Sequence, residues 1–171
     1  MAADLGRPYA LTVATLEPRK NLGTLVDAWQ LLGDTELALA VVGGEGWGEQ
    51  PQLDRPGIVR LGRVSDEELA RLYRGAAVVV YPSRFEGFGM PVVEAMACGA
   101  PCVVSSHPSL DEASGEAALR ADPESPEEFA AAVRESLERP DELRVKGLAH
   151  AAQFSWRRTG ELHVEGYRRF S

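Results

Sequence analysis

Residues 76–104 read AAVVVYPSRFEGFGMPVVEAMACGAPCVV, and this stretch determines the fold that we predict. It opens with six apolar residues rich in valine, which is typical of a buried strand. A helix is then predicted from Pro91, which suits the first helical turn because it lacks an N–H group, to a stop at Gly99. Residues 101–104 are again apolar and predict a second strand. The order strand, helix, strand is the alternation that builds a parallel sheet.

The same alternation continues on both sides of this stretch. Further apolar runs predict strands over residues 9–14, 37–42 and 58–61. Helices are predicted over residues 22–32, from capping boxes at Ser65 and Ser125, and twice more after Asp141. Because the strands are continuously apolar, they suit a sheet covered on both faces. We therefore predict an α/β fold: a doubly wound, mostly parallel sheet with helices on both faces, in one domain spanning residues 1–171.

Length, charge and composition exclude several classes of function. The chain has 171 residues, which suffice for one buried core but not comfortably for two domains. Its net charge is −8, whereas proteins that bind nucleic acids or anionic membranes normally carry an excess of basic residues. Residues 1–7 lack the apolar core of a signal peptide, and no segment is long enough to span a bilayer. We expect a cytoplasmic chain with no nucleic-acid partner and no transmembrane segment.

The cysteines and histidines predict neither a metal site nor a hydrolase triad. Cys98 and Cys102 lie close together without the further Cys or His ligands of a zinc site, so we expect small buried side chains. The histidines at 107, 150 and 163 are scattered, and no spacing pairs them with a nucleophile. We therefore predict no metal ligand.

Candidate ligand residues follow the strands, because ligands of a doubly wound sheet bind at the carboxyl ends of its strands. Arg19 and Lys20 follow the first strand and directly precede a helix, whose amino terminus attracts phosphate. The alternative is that both are solvated charges, with Asn21 as the helix cap. Gly43 begins a glycine-rich loop after the second strand, which either lets backbone approach a ligand or forms a flexible turn.

The loop after the strand at residues 76–81 carries two carboxylates. Glu86 lies in the loop, and Glu94 lies just over one turn into the next helix, where its side chain can point back toward the same crevice. Gly87 and Gly89 expose backbone N–H groups at the helix start, where an anion could rest. Taken singly, each carboxylate is better explained without a ligand. Glu86 would be a solvated loop charge, and Glu94 would be a favourable charge near a helix amino terminus.

At this stretch the sequence resembles the group 1 family of retaining glycosyltransferases of GT-B architecture. The family signature is Glu-x7-Glu inside Glu-Gly-Phe-Gly-x-Pro-x-x-Glu-Ala-Met-Ala, and residues 86–97 fit it without a gap. The likeness extends to residues 17–21, 64–69, 122–126 and 154–156, so it covers nearly the whole chain. The resemblance implies a Rossmann-like domain that binds a nucleotide sugar. It also implies an N-terminal acceptor domain that is absent from this chain.

The resemblance gives each candidate residue a role. Arg19 and Lys20 would neutralise the donor diphosphate, and Glu86 would contact the sugar hydroxyls; these three form the expected catalytic group. The expected donor-binding residues are Glu94 at the ribose diol, the backbone of Phe88, Gly89 and Met90 at phosphate and sugar oxygens, Arg63 at the base, and Gly43. Many relatives carry Gly-Arg where this chain has Ala14-Thr15, so the cationic role falls on Arg19 and Lys20. No metal or other cofactor is expected, since these cations and the helix amino terminus stabilise the leaving group.

We therefore predict the donor-binding half of a retaining, metal-independent hexosyltransferase, inactive until its acceptor domain closes over the crevice. That absent domain would also carry any peripheral contact with a membrane. A non-catalytic nucleotide-sugar-binding module would keep the same ligand residues. A dinucleotide-dependent oxidoreductase is disfavoured because the glycine-rich loop does not match Gly-x-Gly-x-x-Gly at a helix start. The last helix, predicted from about Ser155 to Phe170, should expose Trp156, Val164 and Tyr167, since in relatives it returns toward the acceptor domain.

Overall fold

The structure is a computed structural model that describes residues 5–33, 36–48 and 51–169. Its strands are β1 (Tyr9–Val13), β2 (Ala38–Val42), β3 (Ile58–Gly62), β4 (Val78–Tyr81), β5 (Cys102–Ser105) and β6 (Leu119–Ala121). Its α-helices are α1 (Leu22–Leu32), α2 (Asp66–Gly75), α3 (Met90–Ala97), α4 (Asp111–Ser114), α5 (Pro126–Glu138), α6 (Pro140–Ala151) and α7 (Trp156–Arg169). Short 3-10 turns occupy Pro18–Lys20 and Pro108–Leu110.

All six strands form one parallel sheet in the order β3-β2-β1-β4-β5-β6. This confirms the predicted doubly wound α/β fold. The chain runs outward from β1 in one direction and from β4 in the other, and the two strands pair through Leu11 and Val79. The crevice at their carboxyl ends is therefore the point where the strand order reverses, which is where ligands of such sheets bind.

Alternate residues of each central strand enter different cores. In β4, Val78 and Val80 pack with side chains of α1 and α5, while Val79 and Tyr81 pack with side chains of α2 and α3 on the other face. Both faces exclude water, so an apolar residue is favoured at every position, each worth about 1.5–3 kcal/mol on burial. This explains the continuous apolar run that predicted the strand.

The predicted helix starts are confirmed by their capping contacts. Ser65 Oγ and Ser125 Oγ each accept the backbone N–H of the glutamate three residues later, at 3.2 Å. Helix α3 begins at Met90, one residue before the predicted Pro91, because Gly89 is its N-cap with a φ of 98°. Gly99 follows the helix end with a φ of 78°, as expected of a terminating glycine.

Strand β6 and helix α4 were not predicted from the sequence. Strand β6 has three residues and carries Arg120 at its centre, so it lacks a strand-like apolar pattern. The guanidinium of Arg120 donates to Asp111 Oδ1 at 2.6 Å and to Ser114 Oγ at 2.7 Å, and this ties β6 to α4. These contacts between neighbouring elements, rather than local propensity, hold both segments in place.

Helix α7 exposes the predicted apolar side chains. Trp156, Val164 and Tyr167 are 80%, 49% and 74% exposed, and α7 contains no buried residue. The predicted last residue of this helix, Phe170, lies outside the described residues, as do residues 1–4 of the predicted amino terminus. Within the described ranges, no helix has the length and apolarity that crossing a membrane requires.

The cysteines differ in burial. Cys102 is buried, as expected, and burial raises the pKa of its thiol to about 12. Cys98 is only partly buried.

Candidate functional site

Two loops meet at the switch point between β1 and β4. The Asn21 side chain, 3% exposed, donates from Nδ2 to the carbonyl of Pro82 at 3.1 Å and to that of Pro123 at 2.7 Å. The backbone N–H of Arg84 donates to the carbonyl of Arg19 at 2.8 Å. Asn21 is the N-cap residue of α1, as the alternative proposed, but its side chain makes no capping bond to the helix backbone. Its Nδ2 instead joins the loop after β1 to the loops after β4 and β6.

Glu86 binds both predicted cations. Its Oε1 lies 2.7 Å from Lys20 Nζ, and its Oε2 lies 2.8 Å from Nη1 of Arg19. Lys20 and Glu86 are only 8% and 7% exposed. The alternative of solvated surface charges is therefore wrong for these two residues, although Arg19 remains partly exposed. Buried charges persist when they are paired and hydrogen-bonded, as these are.

Tyr81 is a buried member of this cluster that the sequence analysis missed. Its hydroxyl accepts a hydrogen bond from Lys20 Nζ at 2.8 Å and donates to Glu86 Oε1 at 3.0 Å. The signal in the sequence was the polar end of an otherwise apolar strand, directly before the loop that carries Glu86. Tyrosine packs well in a core, so the pattern alone did not distinguish packing from hydrogen bonding.

The surroundings of Glu86 keep it ionised. Burial raises the pKa of its carboxyl, but the hydrogen bonds and charges of Lys20 and Arg19 outweigh burial and hold that pKa below its usual value. For Arg19, burial lowers the pKa of the guanidinium, and the contacts with Glu86 and Glu17 more than reverse this. Glu86 and Arg19 therefore both carry their charges at neutral pH.

The cations line a cavity of about 390 Å³ at the mouth of the crevice, together with Gly43, Arg63 and Pro91. Among the residues that the structure describes, the Lys20 ammonium donates only to Tyr81 and Glu86, so one N–H donor remains for a ligand. Arg63 has no ion-pair partner within the described part of the chain. The wall thus offers positive charge to an anion.

Gly43 is required by backbone packing. A Cβ atom there would lie 1.8 Å from the carbonyl oxygen of Ala14, and its φ of 147° disfavours other residues. Its own N–H donates to the carbonyl of Gly62 at 2.9 Å, so Gly43 can serve a ligand by close approach but not through this N–H. At Gly44, a Cβ would lie 2.5 Å from Arg63 Nε. The glycines therefore let the loop pack against β1 and against Arg63.

Glu94 lies beside the crevice without forming its wall. Pro91 lines the cavity, and Glu94 follows it by three residues on the same helix, so the two share a face. Glu94 is exposed, and Oε2 of its carboxylate accepts a hydrogen bond from the hydroxyl of buried Tyr73 at 3.3 Å. Tyr73 thus restricts where the Glu94 carboxylate can point.

Phe88 and Met90 direct their side chains elsewhere. Both line a separate apolar cavity of about 760 Å³ beside α7, and the Phe88 ring meets that of Phe154 edge to face, with centroids 5.6 Å apart. Gly89 between them is buried, and a Cβ there would lie 2.6 Å from Leu110 Cδ2. These side chains are not part of the crevice, which leaves the backbone for the contacts that the resemblance implied.

His107 and Ser109 support the Glu86 loop from outside, and the sequence analysis did not connect them with it. The backbone N–H of Glu86 donates to Ser109 Oγ at 3.0 Å. His107 Nδ1 accepts the backbone N–H of Ser109 at 3.1 Å and lies 2.9 Å from Ser109 Oγ. A histidine two residues before a serine is a local cap for a turn, and nothing in the sequence indicates that this turn touches Glu86.

Within residues 5–33, 36–48 and 51–169, no three or more His, Cys, Asp and Glu side chains cluster in a way that could hold a metal ion. The charged residues that line the crevice are Arg19, Lys20 and Arg63.

The parallel sheet and its cation-lined switch point define a Rossmann-like α/β domain. Comparison with known families goes one step further: residues 7–139 match the model described as glycosyl transferases group 1. The chain therefore belongs to the group 1 glycosyltransferase family, as its Glu-x7-Glu stretch predicted.

One curated relative and two solved structures are similar to this chain. The chain is 41% identical over 174 residues to O-antigen chain mannosyltransferase B of Escherichia coli, with 94% of this chain and 45% of that protein covered. Sucrose-phosphate synthase from Thermosynechococcus elongatus superimposes with a TM-score of 0.78 at 26% identity, over 99% of this chain and 46% of that one. HepE of Anabaena, solved with UDP and glucose, superimposes with a TM-score of 0.82 at 20% identity, and the match covers 96% of this chain and 50% of HepE. The chain thus spans about half the length of these three.

Proposed function

We propose that this chain binds the nucleoside-diphosphate sugar of a retaining glycosyltransferase, whose acceptor is held by a second domain. The observation that carries the proposal is the ion cluster of Arg19, Lys20 and Glu86 at the switch point of a group 1 family domain. The names of relatives support it: one is a mannosyltransferase, and one was solved with UDP and glucose. Coverage of only about half of each relative supports a second domain.

The cations stabilise the leaving group. When the bond between the sugar and the diphosphate breaks, negative charge grows on the phosphate oxygens, and preorganised cations lower the energy of that state. Arg19 offers a planar fork that suits phosphate, and Lys20 offers a compact charge. Both are already oriented by Glu86, so little reorganisation is needed.

The carboxylates recognise hydroxyl groups. An ionised carboxylate only accepts hydrogen bonds, so Glu86 suits sugar hydroxyls and Glu94 suits the ribose diol. In this proposal Glu86 positions the sugar and does not act as a covalent nucleophile; Lys20, Tyr81 and Arg19 donate to its oxygens and hold it in place. The acceptor hydroxyl oxygen instead bonds to the sugar carbon on the face that the phosphate leaves. The C–O bond to phosphate breaks, and the hydroxyl proton passes to the departing phosphate oxygen, so the configuration is retained.

Calorimetric titration of the chain with UDP, GDP, UDP-glucose and GDP-mannose tests this proposal. We expect binding of at least one nucleotide sugar, loss of affinity in Arg19→Ala and Lys20→Ala, and no change on adding EDTA. The chain alone should transfer no sugar, because without a second domain water is not excluded from the crevice and the acceptor is not aligned. Binding of NAD without binding of any nucleoside diphosphate would contradict the proposal. Transfer by the chain alone would contradict only the need for a second domain.

A further inference from the structure

Tyr81 occupies a distinctive place in the fold. It is the last residue of β4, so it ends at the switch-point crevice, and it is 1% exposed. Its ring packs in the core that β4 shares with α2 and α3. Its hydroxyl lies at the edge of that core, in contact with the ion pair of Lys20 and Glu86. The residue therefore connects the rigid sheet directly to the charged groups of the site.

The hydroxyl closes a triangle of hydrogen bonds. It lies 2.8 Å from Lys20 Nζ and 3.0 Å from Glu86 Oε1, and those two atoms are 2.7 Å apart. The Lys20 ammonium also lies 5.1 Å from the centroid of the Tyr81 ring, within range of a cation–π interaction. The orientation of each of these three groups is thus fixed by its hydrogen bonds to the other two.

We propose that Tyr81 is a positioning residue for donor binding, acting through Glu86 and Lys20; this rests on the proposed function of the site. A lysine and a glutamate alone have many rotamers in which the pair can close. The phenol removes this freedom, since it takes one N–H of the ammonium and one lone pair of Oε1 while Arg19 takes Oε2. The remaining N–H of Lys20 and the free lone pairs of Glu86 then have set directions toward the ligand.

The charged groups around the phenol keep it a donor. Burial raises the pKa of Tyr81, and the negative charge of Glu86 raises it further, so the hydroxyl stays protonated. The charged groups of the cluster are Glu86 and Lys20 at the hydroxyl and Arg19 at the far carboxylate oxygen, with Glu17 behind Arg19 at 2.8 Å. Because the hydroxyl donates to the ionised carboxylate, it favours the charged form of Glu86.

The substitution Tyr81→Phe removes the hydroxyl and keeps the ring, so it separates positioning from packing. Tyr9→Phe is the matched control: it removes a hydroxyl that donates to the carbonyl of Leu72 at 2.8 Å, at the opposite end of the sheet. Two readouts apply: the carboxyl-carbon NMR titration of Glu86 in the free protein, and calorimetry with UDP-glucose and GDP-mannose at several pH values. Urea unfolding monitors stability in parallel.

In Tyr81→Phe we expect the pKa of Glu86 to rise by about one pH unit and donor affinity to fall roughly tenfold, with the larger loss at acidic pH. Tyr9→Phe should change neither. If the wild-type chain binds donors and Tyr81→Phe leaves both the Glu86 titration and the affinity unchanged, Tyr81 only packs. If the wild-type chain binds no nucleotide sugar, the proposed function fails, and the role of Tyr81 in binding fails with it. Should Tyr81→Phe not fold, site-specific 3-fluorotyrosine at 81, a stronger donor, must lower the pKa of Glu86; an unchanged pKa overturns the inference.

Discussion

The Lys20 ammonium lies 2.7 Å from Glu86 Oε1, although 66 residues separate them in the chain. They meet because β1 and β4 are neighbours, so the loops that follow these strands share one crevice. Both groups are buried, and each is the main counter-charge of the other.

Replacing Lys20 should destabilise the fold more than replacing an exposed lysine. Lys20→Met leaves Glu86 buried with only Arg19 as a counter-charge, and we expect a loss of about 2 kcal/mol in the free energy of unfolding, below the full cost of an unpaired buried charge. The matched control is Lys146→Met, whose ion pair with Glu142 is exposed and should contribute less than about 1 kcal/mol. Urea unfolding measures both, and equal losses would show that the buried pair has no special importance.

A bound nucleoside diphosphate should raise the melting temperature through the cations. At a hundredfold excess over Kd, a ligand stabilises the native state by ~2.7 kcal/mol, and this corresponds to roughly 5 to 10 °C for a domain of this size. Arg19→Ala and Lys20→Ala should reduce the shift because each removes a partner of phosphate. Lys146→Ala and EDTA should leave it unchanged. Thermal-shift measurements decide, and a shift that EDTA abolishes would argue for a metal.

The two carboxylates should affect different parts of the donor. Glu94→Ala should weaken binding of the free nucleoside diphosphate roughly tenfold, because the ribose contact is present in both ligands. Glu86→Ala should mainly weaken binding of the intact nucleotide sugar. Calorimetry with both ligands measures the difference. Equal losses for both ligands in both variants would overturn this division of roles while leaving the site in place.

The ion cluster should make stability depend on pH in the acidic range. The pKa of Glu86 is lowered in the folded state, so its contribution is complete above the unfolded value of about 4.3 and is lost as the pH falls through the folded value. Wild type should therefore exceed Glu86→Gln in free energy of unfolding at pH 7, and this difference should narrow as the pH falls below about 4.3. Urea titrations at several pH values test this, and a gap that stays constant with pH would contradict it.

Much of the site could be predicted because short segments carry it. Residues 86–94 hold both carboxylates and the helix start in one unbroken motif, and the adjacent cations Arg19 and Lys20 precede a helix. Contacts made by distant segments could not be predicted. Tyr81 and Ser109 touch Glu86 through positions that resemble ordinary core and turn residues, and their roles depend on which atoms the fold brings near them.

By itself, the sequence determined the α/β class, the family and most helix and strand positions, because periodicity, capping residues and motif spacing are local properties. Only the tertiary structure decided that β1 lies beside β4, and with it that Lys20 is buried against Glu86 instead of solvated. Strand order depends on how helices cover the two faces of the sheet. The energy of that packing comes from contacts between segments that are far apart in the chain. For the same reason the short β6, held by Arg120, appears only in the folded molecule.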